Sequence, residues 1–493
     1  MALLSVSGTM DQERLLTGVQ GLDEILNGGL LRGQAYLIRG GPGCGKTTLG
    51  MHFLAAGQQA GESCLLITLG ESESQLRRNA HRLGLDLSAI ACLDLSPSAD
   101  TFRQQQTYDI FVTAEVERDP IAEEIIKKVT ELHPQRVFID SLTLFRYLST
   151  DAFQFRKHVL SFLRFLSEEG ATVVFISEAS PEAPDEDLQF MADGVINLNT
   201  NSEEPTINIA KFRSSSFQKG HHSLRLTEQG LEIFPRLILG ETPIAFAMEV
   251  IASGIPDLDE LFQGGVERGT TTIITGPSGV GKTTLGMQFM KEAAGRGERS
   301  MVCCFEEAEM TLVQRCESIN IPVRRMVSQG TLNIFAIEPL LYSPDEFANL
   351  VRQEVEKYDT KIVMIDSIAG YKLSFRQKEL VNHLHGLCRY LKSRGVTTLL
   401  INELEMITGD FRATELGISY LADNIIILRY LEIQGELRKA IGVLKKRLSD
   451  FEKNLREMEI TRYGIKVGEP LRNLRGILSG TPEFIKSENL IDF

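Results

Sequence analysis

The sequence contains no tryptophan, no C-x-x-C pair and no excess of basic residues. Its 493 residues include 52 Lys and Arg against 66 Asp and Glu, a formal net charge of −14. This acidic balance disfavours a protein whose main task is to coat nucleic acid or to bind an anionic membrane. Seven cysteines, an odd number without paired spacing, argue against a zinc site or a disulfide framework and are typical of a reducing cytoplasm.

Long apolar runs are also missing. The run IIIL at 425–428 is too short to cross a bilayer, and the N-terminal segment lacks the basic and apolar regions of a signal peptide. We therefore expect a cytoplasmic protein without a membrane segment. Hydrophobic residues still make up 43% of the chain, which is enough for two sizeable cores.

An internal duplication is the strongest signal of domain organisation. Residues 17–50 and 253–286 share the pattern S/T-G-x-x-x-L-D-E followed by G-G and G-K-T-T-L-G. Asp23 and Asp259 are 236 residues apart, and so are Lys46 and Lys282. A period of this length indicates two copies of a whole domain, which we place at residues 1–240 and 241–493.

Each copy alternates short apolar runs with longer amphipathic segments. Strand-like runs fall at 34–40, 64–69, 136–140, 172–177 and 194–199, with counterparts at 271–275, 301–305, 361–366, 397–402 and 424–430. Runs that are apolar on both faces and separated by helical segments indicate a parallel sheet covered by helices. Further runs near 206–213 and 439–447 predict an antiparallel hairpin at the end of each copy.

Each copy contains a phosphate-binding loop of the form G-x-x-x-x-G-K-T, following a strand and preceding a helix. In such a loop the glycines let backbone N–H groups surround the phosphates, the lysine reaches the terminal phosphates, and the threonine hydroxyl ligates Mg²⁺. The pattern predicts ATP and Mg²⁺ as ligands. The predicted nucleotide-binding residues are Gly41, Gly43, Gly45, Lys46, Thr47 and Thr48 in the first copy, and Gly276, Gly279, Gly281, Lys282, Thr283 and Thr284 in the second.

An acidic residue ends a buried strand in each copy, in VFIDS and VMIDS. Asp140 and Asp366 match the Walker B position, where a carboxylate holds Mg²⁺, although an aspartate here could also cap the next helix. With Thr47 and Thr283 they form the predicted metal sites.

Phosphoryl transfer also needs a group that orients or deprotonates the attacking oxygen. Glu306 and Glu307 follow one strand-like run of the second copy, and Gly70 and Glu71 follow the matching run of the first. We take Glu71, Glu306 and Glu307 as candidate catalytic residues, although solvated glutamates that open a helix would look similar. The loss of one carboxylate at Gly70 suggests that the two sites differ in activity.

Nearly the whole chain resembles the KaiC family, which consists of two fused RecA-like domains. The resemblance rests on the duplicated S/T-G-x-x-x-L-D-E pattern, the two phosphate loops, F-E-E, two I-D-S segments and I-L-S-G-T-P near the C-terminus. It implies a tandem RecA-like fold, ATPase and serine/threonine autokinase activity, a regulatory switch, and a hexamer with ATP at the subunit interfaces.

The resemblance also implies further site residues. Cations that reach the neighbouring subunit's nucleotide fall on Lys211, Arg213 and Lys219 in the first copy, and on Lys445, Arg447 and Lys453 in the second. The autophosphorylation segment falls on Ser419, with Tyr420 where the family has a threonine. Clock members carry a longer tail that binds an activating partner. Because the tail here is short, a partner of that kind is not expected, and other regulatory protein partners stay open.

Two other functions remain open from the sequence. A nucleic-acid motor or recombinase would also use RecA-like domains, but it would need a basic, aromatic-lined channel. A scaffold whose assembly is controlled by nucleotide, with ATPase activity only, would account for Gly70 in the first copy.

Overall fold

The computed structural model describes residues 14–97, 114–146, 152–177, 185–200, 204–237, 249–374, 380–404, 418–478 and 482–484. The chain forms two compact units, Met1–Arg236 and Leu237–Phe493. The boundary that we place after residue 240 from the sequence lies close to this division.

The first unit is built on a nine-stranded sheet. A short pair, β1 (Arg14–Leu15) with β2 (Leu30–Leu31), precedes it. The sheet strands are β3 (Ala35–Arg39), β4 (Cys64–Thr68), β5 (Ala91–Asp94), β6 (Arg136–Asp140), β7 (Thr172–Ser177), β8 (Gly194–Asn199), β9 (Thr206–Phe212), β10 (His222–Thr227) and β11 (Gly230–Phe234). Their spatial order is β5-β4-β6-β7-β3-β8-β9-β10-β11; the strands from β5 to β8 are parallel and β9 to β11 continue antiparallel.

Helices lie between the strands of this unit, and all but the first connect parallel strands of its sheet. They are Gln20–Ile25, Lys46–Gln59, Glu73–Arg82, Ala114–Leu132, Ala152–Glu168 and Glu186–Met191, with a 3₁₀ turn at Leu142–Arg146. The helix Lys46–Gln59 is also tied to the terminal strands, because the buried His52 Nε2 accepts a hydrogen bond from Leu231 N at 3.0 Å. Burial lowers the pKa of His52, which keeps this nitrogen available as an acceptor.

The second unit repeats this plan. β12 (Val250–Ile251) pairs with β13 (Val266–Glu267), and the main sheet contains β14 (Thr271–Gly276), β15 (Ser300–Cys304), β16 (Leu332–Ala336), β17 (Ile362–Asp366), β18 (Thr397–Glu403), β19 (Asn424–Ile433), β20 (Glu436–Lys446), β21 (Arg456–Thr461) and β22 (Gly464–Pro470). The spatial order is β16-β15-β17-β18-β14-β19-β20-β21-β22, parallel up to β19 and antiparallel beyond it. A last pair is β23 (Leu474–Arg475) with β24 (Glu483–Phe484).

The helices of the second unit are Pro256–Leu261, Lys282–Gly295, Glu309–Glu317, Val323–Ser328, Pro344–Tyr358, Ile368–Leu373 and Leu380–Ser393, with a 3₁₀ turn at Ile418–Tyr420. The predicted architecture, a mainly parallel sheet flanked by helices with terminal antiparallel strands, is confirmed in both units. None of the described helices is long and apolar enough to cross a membrane.

The strands are apolar on both faces because each main sheet separates two hydrophobic cores. Along β17, Ile362 and Met364 enter one cluster of the second unit, whereas Val363 and Ile365 enter the cluster on the opposite face. Alternate side chains of a strand point to opposite faces, so a strand that is covered twice needs a continuous apolar run. This burial fixes the carboxyl ends of the strands along one edge of the sheet.

The repeated S/T-G-x-x-x-L-D-E pattern forms a local hydrogen bond between a side chain and the backbone at the start of each unit. Asp259 Oδ1 accepts a hydrogen bond from Ser253 N at 2.7 Å, and Asp23 Oδ1 accepts one from Thr17 N at the same distance. Gly254, which lies between Ser253 and Asp259, has φ +75°, a left-handed conformation that glycine adopts without strain. The aspartate thus joins the incoming chain to the first helix, and its part is structural.

We predict that Asp259→Ala destabilises the first helix of the second unit by about 1–3 kcal/mol, because the buried Ser253 N–H loses its acceptor. Amide hydrogen exchange of residues 250–262 should be faster in the variant. Asp257→Ala is the matched control, since Asp257 is exposed on the same helix. Equal exchange rates in the two variants would contradict this assignment.

Candidate nucleotide sites

Each phosphate loop joins a central strand of its sheet to a buried helix. The first runs from β3 to the helix Lys46–Gln59, and the second from β14 to the helix Lys282–Gly295. The last loop glycine precedes each helix with a positive φ, +94° at Gly45 and +116° at Gly281. The positive φ of Gly281 favours glycine, and a Cβ there would also lie 2.5 Å from Ile460 Cδ1. The first N–H groups of each helix therefore point into the loop, where an anion binds.

The loop lysines are buried and folded over their loops. Lys46 Nζ donates hydrogen bonds to Gly40 O at 2.9 Å and to Gly41 O at 2.8 Å, and Lys282 Nζ donates one to Pro277 O at 2.8 Å. Burial lowers the pKa of Lys282, and nearby carboxylates oppose that shift. Both amines thus lie at the loop backbone that would surround a phosphate chain.

The loop threonine and the aspartate at the end of the neighbouring strand are in contact in both units. Thr47 Oγ1 donates a hydrogen bond to Asp140 Oδ2 at 2.8 Å, and Thr283 bonds to Asp366 in the same way. Burial raises the pKa of Asp366, while the bond from Thr283 opposes that shift. A hydroxyl beside a carboxylate is the hard oxygen set that Mg²⁺ prefers, so these pairs fit a magnesium ion shared with phosphate oxygens. In the part of the chain that the structure describes, no three His, Cys, Asp or Glu residues form a separate metal site.

The alternative that the strand-end aspartate caps the next helix is not what the second unit shows. Ser367 is the N-cap of the helix Ile368–Leu373, because its Oγ accepts a hydrogen bond from Gly370 N at 3.1 Å. The same hydroxyl donates to Glu306 Oε1. Asp366 is therefore left to the threonine and the cavity.

The adjacent residues Glu306 and Glu307 have different surroundings. Glu306 lines the cavity and is held by Ser367, whereas Glu307 Oε2 accepts a hydrogen bond from Arg315 Nη2 at 2.6 Å in an ion pair. Only one of the two carboxylates thus faces the space in front of the phosphate loop. The sequence alone could not separate them.

The first unit has a different arrangement. Gly70 removes the counterpart of Glu306, and Asn79 stands 236 residues before Arg315, where a cation would be needed to pair with Glu71. Glu71 Oε2 is buried without a hydrogen-bond partner among the described residues. A buried carboxylate oxygen without a donor is costly, which is typical of functional groups that gain a partner on ligand binding.

The cavity of the second unit has a volume of about 500 Å³. Besides the loop residues, Glu306 and Asp366, it is lined by three charged residues that the motifs did not identify: Arg315, Glu403 and Lys439. Lys439 Nζ donates a hydrogen bond to Gly279 O at 3.2 Å, and Tyr430 OH donates one to Ser278 O at 3.3 Å. The hairpin β19–β20 thus holds the phosphate loop of its own chain.

The predicted trans-acting cations of the first unit contact the segment that precedes β8. Lys211 Nζ donates hydrogen bonds to the carbonyl oxygens of Gln189, Phe190 and Ala192, and Arg213 pairs with Asp193 at 3.2 Å. Lys219 is exposed. The structure therefore places Lys211 and Arg213 next to the end of the helix Glu186–Met191.

Their counterparts in the second unit hold the predicted phosphorylation segment. Lys445 Nζ donates hydrogen bonds to Ser419 O at 3.1 Å and to Ala422 O at 2.8 Å, and Arg447 Nη2 donates one to Tyr420 O at 3.0 Å. Lys453 is exposed. These contacts join the two sets of predicted site residues in one place.

Ser419 lies in the 3₁₀ turn Ile418–Tyr420 and is partly exposed. Tyr420 is 50% exposed, and its ring packs edge-on against His385, with 5.9 Å between the ring centroids. The polar segment 405–416 that precedes them, which the sequence suggests as a substrate loop, lies outside the described residues.

Comparison with known proteins decides the family. The sequence model of the KaiC ATPase matches this chain twice, at residues 15–238 and 251–472. The chain belongs to the KaiC family. Its tandem RecA-like fold and its assignment as an ATP-binding ATPase follow from this membership.

Similar KaiC proteins span nearly the same length. The chain is 28% identical over 498 residues to the circadian clock oscillator protein KaiC of Prochlorococcus marinus (strain MIT 9313), covering 98% of each chain. It is 29% identical over 482 residues to the circadian clock protein KaiC3 of Synechocystis sp. (strain ATCC 27184 / PCC 6803 / Kazusa), covering 96% of this chain and 95% of that one.

Proposed function

We propose that this KaiC-family ATPase hydrolyses ATP in both units, assembles into a hexameric ring with nucleotide at the subunit interfaces, and phosphorylates itself on Ser419 in the second unit. The observation that carries the proposal is the cavity of the second unit, which is lined by Lys282, Thr283, Asp366 and Glu306. Phosphoryl transfer needs these parts: a phosphate cradle, a metal-binding pair and an acceptor for the proton of the nucleophile.

In the proposed reaction the attacking oxygen forms a bond to the γ-phosphorus while the bond to the ADP oxygen breaks, and ADP leaves with the electron pair. Glu306 accepts the proton of the attacking group, and Ser367 fixes its orientation through the hydrogen bond to Oε1. Lys282 exchanges its bond to Pro277 O for phosphate oxygens. When bound by Thr283 and Asp366, Mg²⁺ supplies neutralisation of the phosphate charge.

The two sites use carboxylates at different positions. The support is the pairing of Glu307 with Arg315 in the second unit and the unpaired Oε2 of Glu71 in the first. We therefore assign the proton-accepting role to Glu306 in the second site and to Glu71 in the first, and none to Glu307, whose carboxylate is paired with Arg315.

We predict that Glu306→Gln lowers ATP turnover by the second site about 10²–10⁴-fold, because the amide cannot accept the proton. Glu71→Gln should do the same in the first site, so that the double variant releases almost no phosphate. Phosphate release by the two single variants and the double variant separates the sites. Glu307→Gln is the matched control and should keep most turnover; a loss as large as that of Glu306→Gln would contradict the assignment.

Ring assembly is proposed from the positions of the basic residues. Lys445 and Arg447 do not line the described cavity of their own unit, and Lys211 and Arg213 occupy the equivalent positions in the first unit. Arg213 and Arg447 are about half exposed, so their guanidinium groups are accessible to another subunit. A cation from outside would neutralise charge on the γ-phosphate.

A mixing experiment tests the trans arrangement. We predict that Arg447→Ala and Lys282→Ala each lose turnover by the second site in a Glu71→Gln background, and that mixing the two proteins restores part of it. The first protein supplies an intact loop and the second an intact arginine. If Arg447 acts on its own chain's nucleotide, the mixture stays inactive, whatever its state of assembly.

Autophosphorylation is proposed at Ser419, with Tyr420 as a second candidate. The support is the partial exposure of Ser419 and the bonds from Lys445 and Arg447, which tie this segment to the predicted interface residues. A covalent mark at this point would make the protein an ATP-dependent regulatory switch, and regulatory protein partners would read it.

Phosphoprotein mass spectrometry after incubation with Mg-ATP tests this proposal. We predict phosphate on Ser419 in the wild type, loss of that phosphate in Ser419→Ala, and retention in Tyr420→Phe, which is the matched control. The absence of phosphate from all three proteins would leave an ATPase without kinase activity, and abundant phosphate at another position would show that the acceptor is misassigned.

A further inference from the structure

The cavity of the second unit is lined by a carboxylate that has no role in the function proposed above, that of Glu403. Glu403 is the last residue of β18, which lies between the strand that carries Asp366 and the strand that leads into the phosphate loop. In the parallel register Gly276 is paired with Glu403. The strand order therefore places this side chain at the carboxyl edge of the sheet, beside the first glycine of the loop.

Glu403 lines the same cavity as Glu306, Lys282 and Thr283. Its carboxylate has no hydrogen-bond or ion-pair partner within the described ranges of the chain, whereas Glu306 is held by Ser367. Of the carboxylates that oppose the effect of burial on the pKa of Lys282, Glu403 acts most strongly, ahead of Asp366 and Glu306. Glu403 is thus an acceptor that shares the cavity with the loop lysine and has no hydrogen-bond partner in the described part of the fold.

Binding of a triphosphate would change the surroundings of Glu403. Lys282 would turn to the phosphate oxygens, which leaves Glu403 as a negative charge near the transferred group. Such a charge is unfavourable unless a donor hydrogen-bonds to it. Arg315 and Lys439, the other donors of this cavity, are bound to Glu307 and to Gly279 O, so the attacking group in front of the γ-phosphate is the donor that we consider for Glu403.

The number of donors on the attacking group then distinguishes two reactions. A water molecule has two O–H groups and can donate to Glu306 and to Glu403 at once. A serine hydroxyl has one O–H group, so that Glu403 would stay without a donor beside the phosphates. We propose that Glu403 selects water as the nucleophile of the second site and thereby sets the ratio of ATP hydrolysis to Ser419 phosphorylation. This inference rests on the proposed phosphoryl transfer at that site.

Hydrolysis forms one phosphorus–oxygen bond and breaks another. The oxygen of water bonds to the γ-phosphorus, the bond to the ADP oxygen breaks, and ADP takes the electron pair. One proton of water passes to Glu306, and the other O–H group keeps its hydrogen bond to Glu403 until inorganic phosphate forms. In transfer to Ser419 the serine Oγ bonds to the γ-phosphorus, the bond to the ADP oxygen breaks and ADP takes the electron pair. The hydroxyl proton passes to Glu306, and no hydrogen bond to Glu403 is made.

The test measures both products in the full-length protein. In a Glu71→Gln background, phosphate release and phosphoserine at residue 419 are compared between Glu403 and Glu403→Gln, and the rate of the Glu71→Gln/Glu306→Gln protein is subtracted from each release rate. We expect Glu403→Gln to lower phosphate release about tenfold or more and to raise the ratio of phosphoserine to released phosphate by a similar factor. Binding of a non-hydrolysable ATP analogue should weaken no more than about twofold.

Glu469→Gln is the matched control, because it removes one negative charge from an exposed position of the same unit. It should leave both products unchanged. Unchanged release in Glu403→Gln would overturn the proposal, and so would an equal fall in both products, since either result shows that Glu403 does not discriminate between nucleophiles. Full turnover by Glu306→Gln would instead overturn the proposed proton acceptor. Because that result comes from a different variant, it is distinguishable from a failure of the Glu403 proposal.

Discussion

Both sites depend on one contact, the hydrogen bond between the loop threonine and the aspartate at the end of a neighbouring strand. In the first unit it measures 2.8 Å between Thr47 Oγ1 and Asp140 Oδ2. The bond can form only because burial on both faces of the sheet holds the strand ends in line, while the positive φ of the last loop glycine turns the helix start toward them. The loop lysine, the proposed metal-binding oxygens and the proposed proton acceptor are all placed relative to this contact.

The two units share this framework and differ in the groups around it. The second unit has Glu306 held by Ser367 and Glu307 paired with Arg315, whereas the first has Gly70 and an unpaired Glu71 oxygen. A carboxylate that is already oriented loses less freedom on reaching the transition state than one that must find a partner. In the proposed function the shared framework positions the phosphates, and these few side chains account for the difference between the two sites.

The phosphate loops, Asp140, Asp366 and the parallel sheet could be predicted from the sequence, because each is carried by contiguous residues or by a simple period. The strands β5 and β16 could not, since they lie at the sheet edges and lack the continuous apolar run of a strand that is covered twice. Glu403 and Arg315 were missed for other reasons: the position of Glu403 depends on which strands are neighbours in space, and that of Arg315 on how the helix Glu309–Glu317 lies beside the cavity. A search for charged residues at every strand end would have found Glu403.

The ammonium group of Lys211 has three protons, and three backbone carbonyls accept them at 3.0, 3.1 and 2.6 Å. Any reach of Lys211 toward a neighbouring molecule must first break one of these bonds, whereas the guanidinium of Arg213 has five donors and retains some to spare. The two cations are therefore unequal. All donors of Lys211 are used by the backbone of its own chain, whereas Arg213 keeps donors for a further contact.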